Sequence, residues 1–204
     1  MKVYEPANIR NITLLGHAGS GKTTLAEALL AGAKAINRRG TVEDQNTVSD
    51  YHELEHERGN SIFSVPMYLE HAGRKVNMID TPGFDDYIGE ALGAAYAADN
   101  GIIVMNAQNG IEVGTDNMFQ ACEKLGKPVC FVLNKIDVEQ AKFDENVESL
   151  KQRYGGSSTI VQYQLNTGLQ FNAIIELLSM WMYEYGPDGG KGQKKEIPAD
   201  EKEK

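Results

Sequence analysis

One short loop limits the fold more than any other feature of the chain. Gly16-His17-Ala18-Gly19-Ser20-Gly21-Lys22-Thr23 follows the apolar run Ile9 to Leu15 and precedes Leu25, Ala28 and Leu29, which recur at helical spacing. This is the pattern GxxxxGK[ST] set between a strand and a helix. Its glycines let backbone N–H groups turn inward onto a phosphate, and the helix that follows adds its positive end. Lys22 then reaches the β- and γ-phosphates and the Thr23 hydroxyl is placed for Mg²⁺, with Thr24 beside it. The loop alone does not choose between ATP and GTP, and a phosphate-loop kinase is a rival at this stage.

Around the loop, short apolar runs alternate with helical patterns. Val76 to Ile79, Ile102 to Met105 and Val129 to Leu133 read as buried strands, and helical spacing follows at Phe119, Cys122, Leu125 and at Phe143, Val147, Leu150. The alternation predicts a doubly wound α/β fold, with a mostly parallel sheet covered on both faces. One strand departs from it. Ser61 to Leu69 turns through His71-Ala72-Gly73 into Arg74 to Ile79, so this pair is antiparallel, and Pro66 places the first strand at the sheet edge. Beyond Tyr154, Thr159 to Leu165 reads as a strand and Phe171 to Met182 as a helix. From Gly186 the chain is rich in Gly, Lys and Glu and is expected to lack fixed structure.

Two further stretches extend the chemistry. Asp80-Thr81-Pro82-Gly83 closes an apolar strand, where Asp80 can hold Mg²⁺ and Gly83 can offer its N–H to a γ-phosphate. Asn134-Lys135-Ile136-Asp137 ends another strand. A carboxylate there accepts hydrogen bonds from the guanine N1–H and amino group, and Lys135 can lie along the base. In this order the stations select GTP over ATP.

The chain of 204 residues suits one domain, or one domain with an insertion. A net charge of −9 disfavours non-specific docking on nucleic acid, and no sequence-specific DNA binding is expected. The start, MKVYEPANIR, lacks a signal-peptide core and no stretch is long enough to span a bilayer. A monomeric cytoplasmic protein without membrane contact is the expectation. Cys122 and Cys130 read as buried free thiols, and His52 and His56 as part of a solvated charged face.

With these stations in place, the sequence resembles the GTP-binding domain of elongation factor G and its relatives among the translational GTPases. The likeness runs through GHAGSGKTTL, the segment ELEHERGNSI (Glu53 to Ile62), IDTPGFDDY and NKID, nearly to Tyr185. It implies a P-loop NTPase (GTPase) fold, hydrolysis of GTP to GDP and phosphate with Mg²⁺, and the ribosome as partner. It also implies a GTP-binding core over residues 1–155, the start of an inserted subdomain over 156–185, and a tail over 186–204. Ser61 stands where the family places a Thr whose hydroxyl binds Mg²⁺ in the GTP state. Three departures are visible. Gly19 replaces the usual Asp, and no Ser-Ala pair that supports guanine occurs, so the chain is expected to be an amino-terminal part of a longer protein. Phe84 replaces the His that positions the attacking water, so among the catalytic positions Lys22, Gly83 and Phe84 the last predicts slow or impaired hydrolysis.

Overall fold

The computed structural model describes residues 2–155, 158–186 and 189–202. The chain falls into two compact units, Met1–Asn106 with Ile111–Asn134, and Ala107–Gly110 with Lys135–Lys204.

The first unit is built on strands β1 (Ile9–Leu15), β2 (Val65–His71), β3 (Arg74–Asp80), β4 (Asn100–Asn106) and β5 (Val129–Asn134), in the order β2-β3-β1-β4-β5. Pairings of β1 with β3, β1 with β4 and β4 with β5 are parallel, and only β2 runs antiparallel to its neighbour. Strands this apolar must be covered on both faces. Leu14, Leu15, Met78, Ile103, Val104 and Met105 are fully buried. Helices α1 (Lys22–Gly32), α3 (Ile88–Ala97) and α4 (Val113–Lys124) provide the cover, with a short α2 (Glu53–Arg58) between α1 and β2. Ala26 and Leu30 of α1 pack with Leu14, Leu69 and Met78. The small residues Ala91, Ala94 and Ala95 are the buried positions of α3, which packs on β1.

The antiparallel pair is joined by two residues, Ala72 (φ 46°) and Gly73 (φ 76°), between His71 and its partner Arg74. Two successive positive φ values give the turn whose twist suits a hairpin. Pro66 lies exposed on the outermost strand, where its missing N–H costs nothing. The strand starts at Val65 rather than Ser61, because Glu55 and Glu90 hold the N–H groups of Ile62, Phe63 and Ser64 that would otherwise join the ladder.

In the second unit, α5 (Phe143–Tyr154) precedes an antiparallel sheet of β6 (Gln162–Gln164), β7 (Ala173–Glu176), β8 (Trp181–Gly186) and β9 (Gly189–Lys195), ordered as numbered. Here the structure corrects three expectations. The segment Phe171 to Met182 is not a helix but two strands and a tight turn. Ala173, Ile175 and Met182 share the buried face, whereas Leu178 is 79% exposed in the turn and Met180 adopts φ 57°. The expected strand Thr159 to Leu165 shortens to β6. The tail is not structureless, since β9 pairs with β8 and Ile197 joins Ala173, Ile175 and Met182 in the core. Residues 187–188 and 203–204 of that tail, and the boundary expected at residue 156, lie outside the described residues. Cys122 is buried, but Cys130 is exposed on β5, a strand hydrogen-bonded on one side only. Among the described residues no helix is long and apolar enough to cross a membrane.

Candidate functional site

Because β1, β3, β4 and β5 are parallel, their carboxyl ends share one edge of the first unit's sheet, the edge where open α/β sheets bind ligands. The glycine-rich loop leaves β1 there. Gly16 and Ser20 are buried, His17, Ala18 and Gly21 half-buried, and Gly19 and Thr24 exposed. Gly21 caps α1 at φ 96°, and a Cβ there would meet Asn134 Nδ2 at 2.2 Å. The loop is therefore closed on β5, and Asn134 donates to the Ser20 carbonyl at 2.9 Å.

Lys22 opens α1 with its ammonium folded back over the loop, donating to the carbonyls of Gly16 and His17 at 2.9 Å each. It is 6% exposed, and burial lowers its pKa to about 8 against the pull of Asp80 and Glu112. Gly83 comes so close that a Cβ would meet Lys22 Nζ at 2.4 Å and the Ala18 nitrogen at 2.6 Å. The space between the loop and the end of β3 is one that only a backbone can line.

One residue further on, Thr23 draws three separated stretches together. Its hydroxyl donates to Asp80 Oδ2 at 2.7 Å and lies 3.3 Å from Ser61 Oγ. Ser61 in turn donates to Asp50 Oδ1 at 2.7 Å. Burial pushes Asp80 up to about 6, opposed by hydrogen bonding from Thr23, by Ser49 and by Lys22; burial also raises Asp50. Ser49 Oγ sits close enough to Asp80 to steady its charge without meeting hydrogen-bond geometry. Among the described residues, Ser49 Oγ and Asp80 Oδ1 are buried with no hydrogen-bond partner beyond this approach. An orphaned carboxylate oxygen amid hydroxyls is the all-oxygen donor set that Mg²⁺ takes, and the set fits that ion. Two carboxylates fall short of a complete cage, which suits an ion that also uses phosphate oxygens.

Asp50 and Ser49 were invisible to sequence reasoning, since nothing in VSDYHELEHERG marks them as inward-facing. The charged stretch around them is only in part a solvated face. Glu55 is buried and accepts from Ile62 and Phe63, while His56 Nε2 lies 2.7 Å from the Asp50 carbonyl. Arg58 donates to the Tyr87 hydroxyl at 2.7 Å, tying α2 to the stretch that follows Gly83. In that stretch Phe84 is 46% exposed, and its carbonyl accepts from Tyr87 N. Lys135 (φ 58°) and the exposed Asp137 belong to the second unit, Asn134 to the first.

Fold and loop together define a phosphate-loop α/β nucleotide-binding domain. The sequence profile of the elongation factor Tu GTP binding domain matches residues 7–190, and the chain belongs to that family. It is 36% identical over 180 residues to an elongation factor G-like protein of Mycobacterium tuberculosis, covering 88% of this chain and 24% of that one. An elongation factor G-like protein of Thermotoga maritima is 34% identical, covering 94% and 27%. A peptide chain release factor 3 from Synechocystis is 30% identical, covering 91% and 35%. A crystal structure of a Thermus thermophilus protein superposes with a TM-score of 0.89 at 34% identity, over 97% of this chain and 29% of that one. The chain thus spans about a quarter of the length of its elongation factor G-like relatives.

Proposed function

We propose that the chain is the nucleotide-binding part of an elongation factor G-like translational GTPase, binding GTP with Mg²⁺, hydrolysing it to GDP and phosphate, and acting on the ribosome in the cytoplasm. One observation carries the reading. Thr23, Ser61 and Asp80, from three separated stretches, meet within hydrogen-bond range beside the buried Lys22. In the same reading residues 1–155 form the nucleotide-binding core and an inserted subdomain begins near residue 156, which the separate antiparallel sheet β6 to β9 supports.

Lys22 would exchange its carbonyl partners for β- and γ-phosphate oxygens, and the Gly83 N–H would meet the γ-phosphate. Thr23, Ser61 and Asp80 would hold Mg²⁺, which when bound neutralises charge on those phosphates. The guanine-recognising roles of Asn134, Lys135 and Asp137 rest on sequence. Phe84 carries neither donor nor acceptor, so it orients no water, and hydrolysis is slow. Its exposed, apolar side chain also favours a second reading, a GTP-dependent ribosome-binding module in which occupancy rather than turnover matters.

Equilibrium titration with GTP, GDP and ATP tests the first part. GTP and GDP should bind with ATP excluded, and Asp137→Ala should erase the difference; equal binding of ATP removes the proposal. Single-turnover hydrolysis with and without ribosomes separates the two readings, since rapid phosphate release removes the second. Phe84→His should raise the rate by at least about tenfold.

A further inference from the structure

The segment 33–52, between α1 and α2, carries Ser49 and Asp50 to the cluster at Thr23, yet it contains no helix or strand that would hold it. What ties it to α1 is an acid on the inner face of that helix. Glu27 is 1% exposed, and its two carboxylate oxygens accept from the N–H groups of Gly40 at 2.7 Å and Val48 at 2.6 Å. A buried carboxylate is costly unless its oxygens are satisfied, and here both accept a hydrogen bond. Both oxygens of Glu27 are thus engaged with the backbone of this segment.

Its position matters more than its burial. Glu27 is four residues from Thr23 on α1, so the two side chains lie on one face of the helix. Between Gly40 and Val48 the chain closes on itself, with Asn46 Oδ1 accepting from Thr41 N at 2.8 Å and Thr41 Oγ1 from Asp44 N at 3.1 Å. Two residues after Val48 comes Asp50, the acceptor for Ser61. One helix face thus grips the loop twice, at Thr23 through Ser61 and at Glu27 through Gly40 and Val48.

We infer that Glu27 is a positioning residue: by mooring Gly40 and Val48 to α1 it sets Asp50 and Ser61 against Thr23, and the affinity of the site for GTP, more than for GDP, depends on that mooring. The clause about nucleotide rests on the function proposed above; the mooring itself does not. Glu27→Gln keeps the shape but can accept only one of the two N–H groups, turning its amide NH₂ toward the other.

Arg38 and Arg39 are exposed just ahead of Gly40, so trypsin cutting there reports the loop. Without nucleotide, Glu27→Gln should be cut roughly tenfold faster at these sites, the factor expected for losing one charge-assisted hydrogen bond. It should bind a non-hydrolysable GTP analogue roughly tenfold more weakly while GDP affinity stays within about twofold. Equal loss of both nucleotides, or unchanged cutting, overturns the inference. Should the variant not fold, hydrogen exchange on the unsubstituted chain decides it. The Gly40 and Val48 amides should be protected, and exchange at open-chain rates overturns the mooring. If the unsubstituted chain bound neither nucleotide, the proposed function and the nucleotide clause would fall together, while cutting and exchange would still decide the mooring.

Discussion

The two sheets of this chain solve different problems. In the first unit, Leu14, Leu15, Met78, Ile103, Val104 and Met105 are fully buried, and that depth surrounds an ammonium and a carboxylate, Lys22 and Asp80. In the second, a core of Ala173, Ile175, Met182 and Ile197 backs a sheet whose ion pair, Lys195 with Glu184, and cation over a ring, Lys194 on Trp181, are in part open to solvent. A deep core can hold charges away from water and so shift their affinity for protons and ligands; a thin one cannot. Chemistry is concentrated where burial is deepest.

The contrast can be broken at three strengths. Lys22→Ala, which removes the buried ammonium, should lower GDP affinity by about a thousandfold, near 4 kcal/mol, in calorimetric titration, with the second unit unchanged. Next come the cores. Ile103→Ala should cost about 3 to 4 kcal/mol and lower the far-UV circular dichroism transition. Met182→Ala should cost less, about 2 kcal/mol, and act on the fluorescence of Trp181, the chain's single tryptophan. Equal costs at the two sites would erase the distinction between the cores.

The third test is in pH. The Asp80 pKa rises from 3.8 in the open chain to about 6 when folded, so between these values the folded state holds the extra proton. Stability of the nucleotide-free protein should fall as pH rises from about 4 to 6, by at most about 3 kcal/mol from this group. Lys22 is lowered from 10.5 to about 8, so its unfolded form holds the extra proton and stability should recover from about pH 8 to 10.5. Thermal unfolding across this range checks both limbs, and Asp80→Asn should flatten the acid one.

Much of the first unit was legible because its physics is local. A strand, a glycine-rich turn and a helix lie consecutively from Ile9 to Gly32, and the Ala72-Gly73 turn with Pro66 at the edge is written within a dozen residues. The second sheet was not, because Ile174, Leu177 and Leu178 imitate helical spacing, and only tertiary contact reveals that Leu178 is left in solvent. The cluster at Thr23 was legible in part. Lys22, Thr23 and Asp80 sit in motifs, and Ser61 came through resemblance. Asp50, Ser49 and Glu27 take their roles from chain segments brought together by folding, which no spacing encodes.

The contact between Gly21 and Asn134 has a consequence for how the sheet edge is dimensioned. With 2.2 Å between an imagined Cβ and Asn134 Nδ2, and a 2.9 Å hydrogen bond from that same amide to Ser20, there is no slack between the phosphate loop and the tip of β5. The span from one to the other is thus a gauge block. Any side chain at position 21 would displace the Asn134 amide from Ser20, and any shortening of Asn134 would let the loop drift. A single amide group thus ties the glycine-rich loop to the tip of β5.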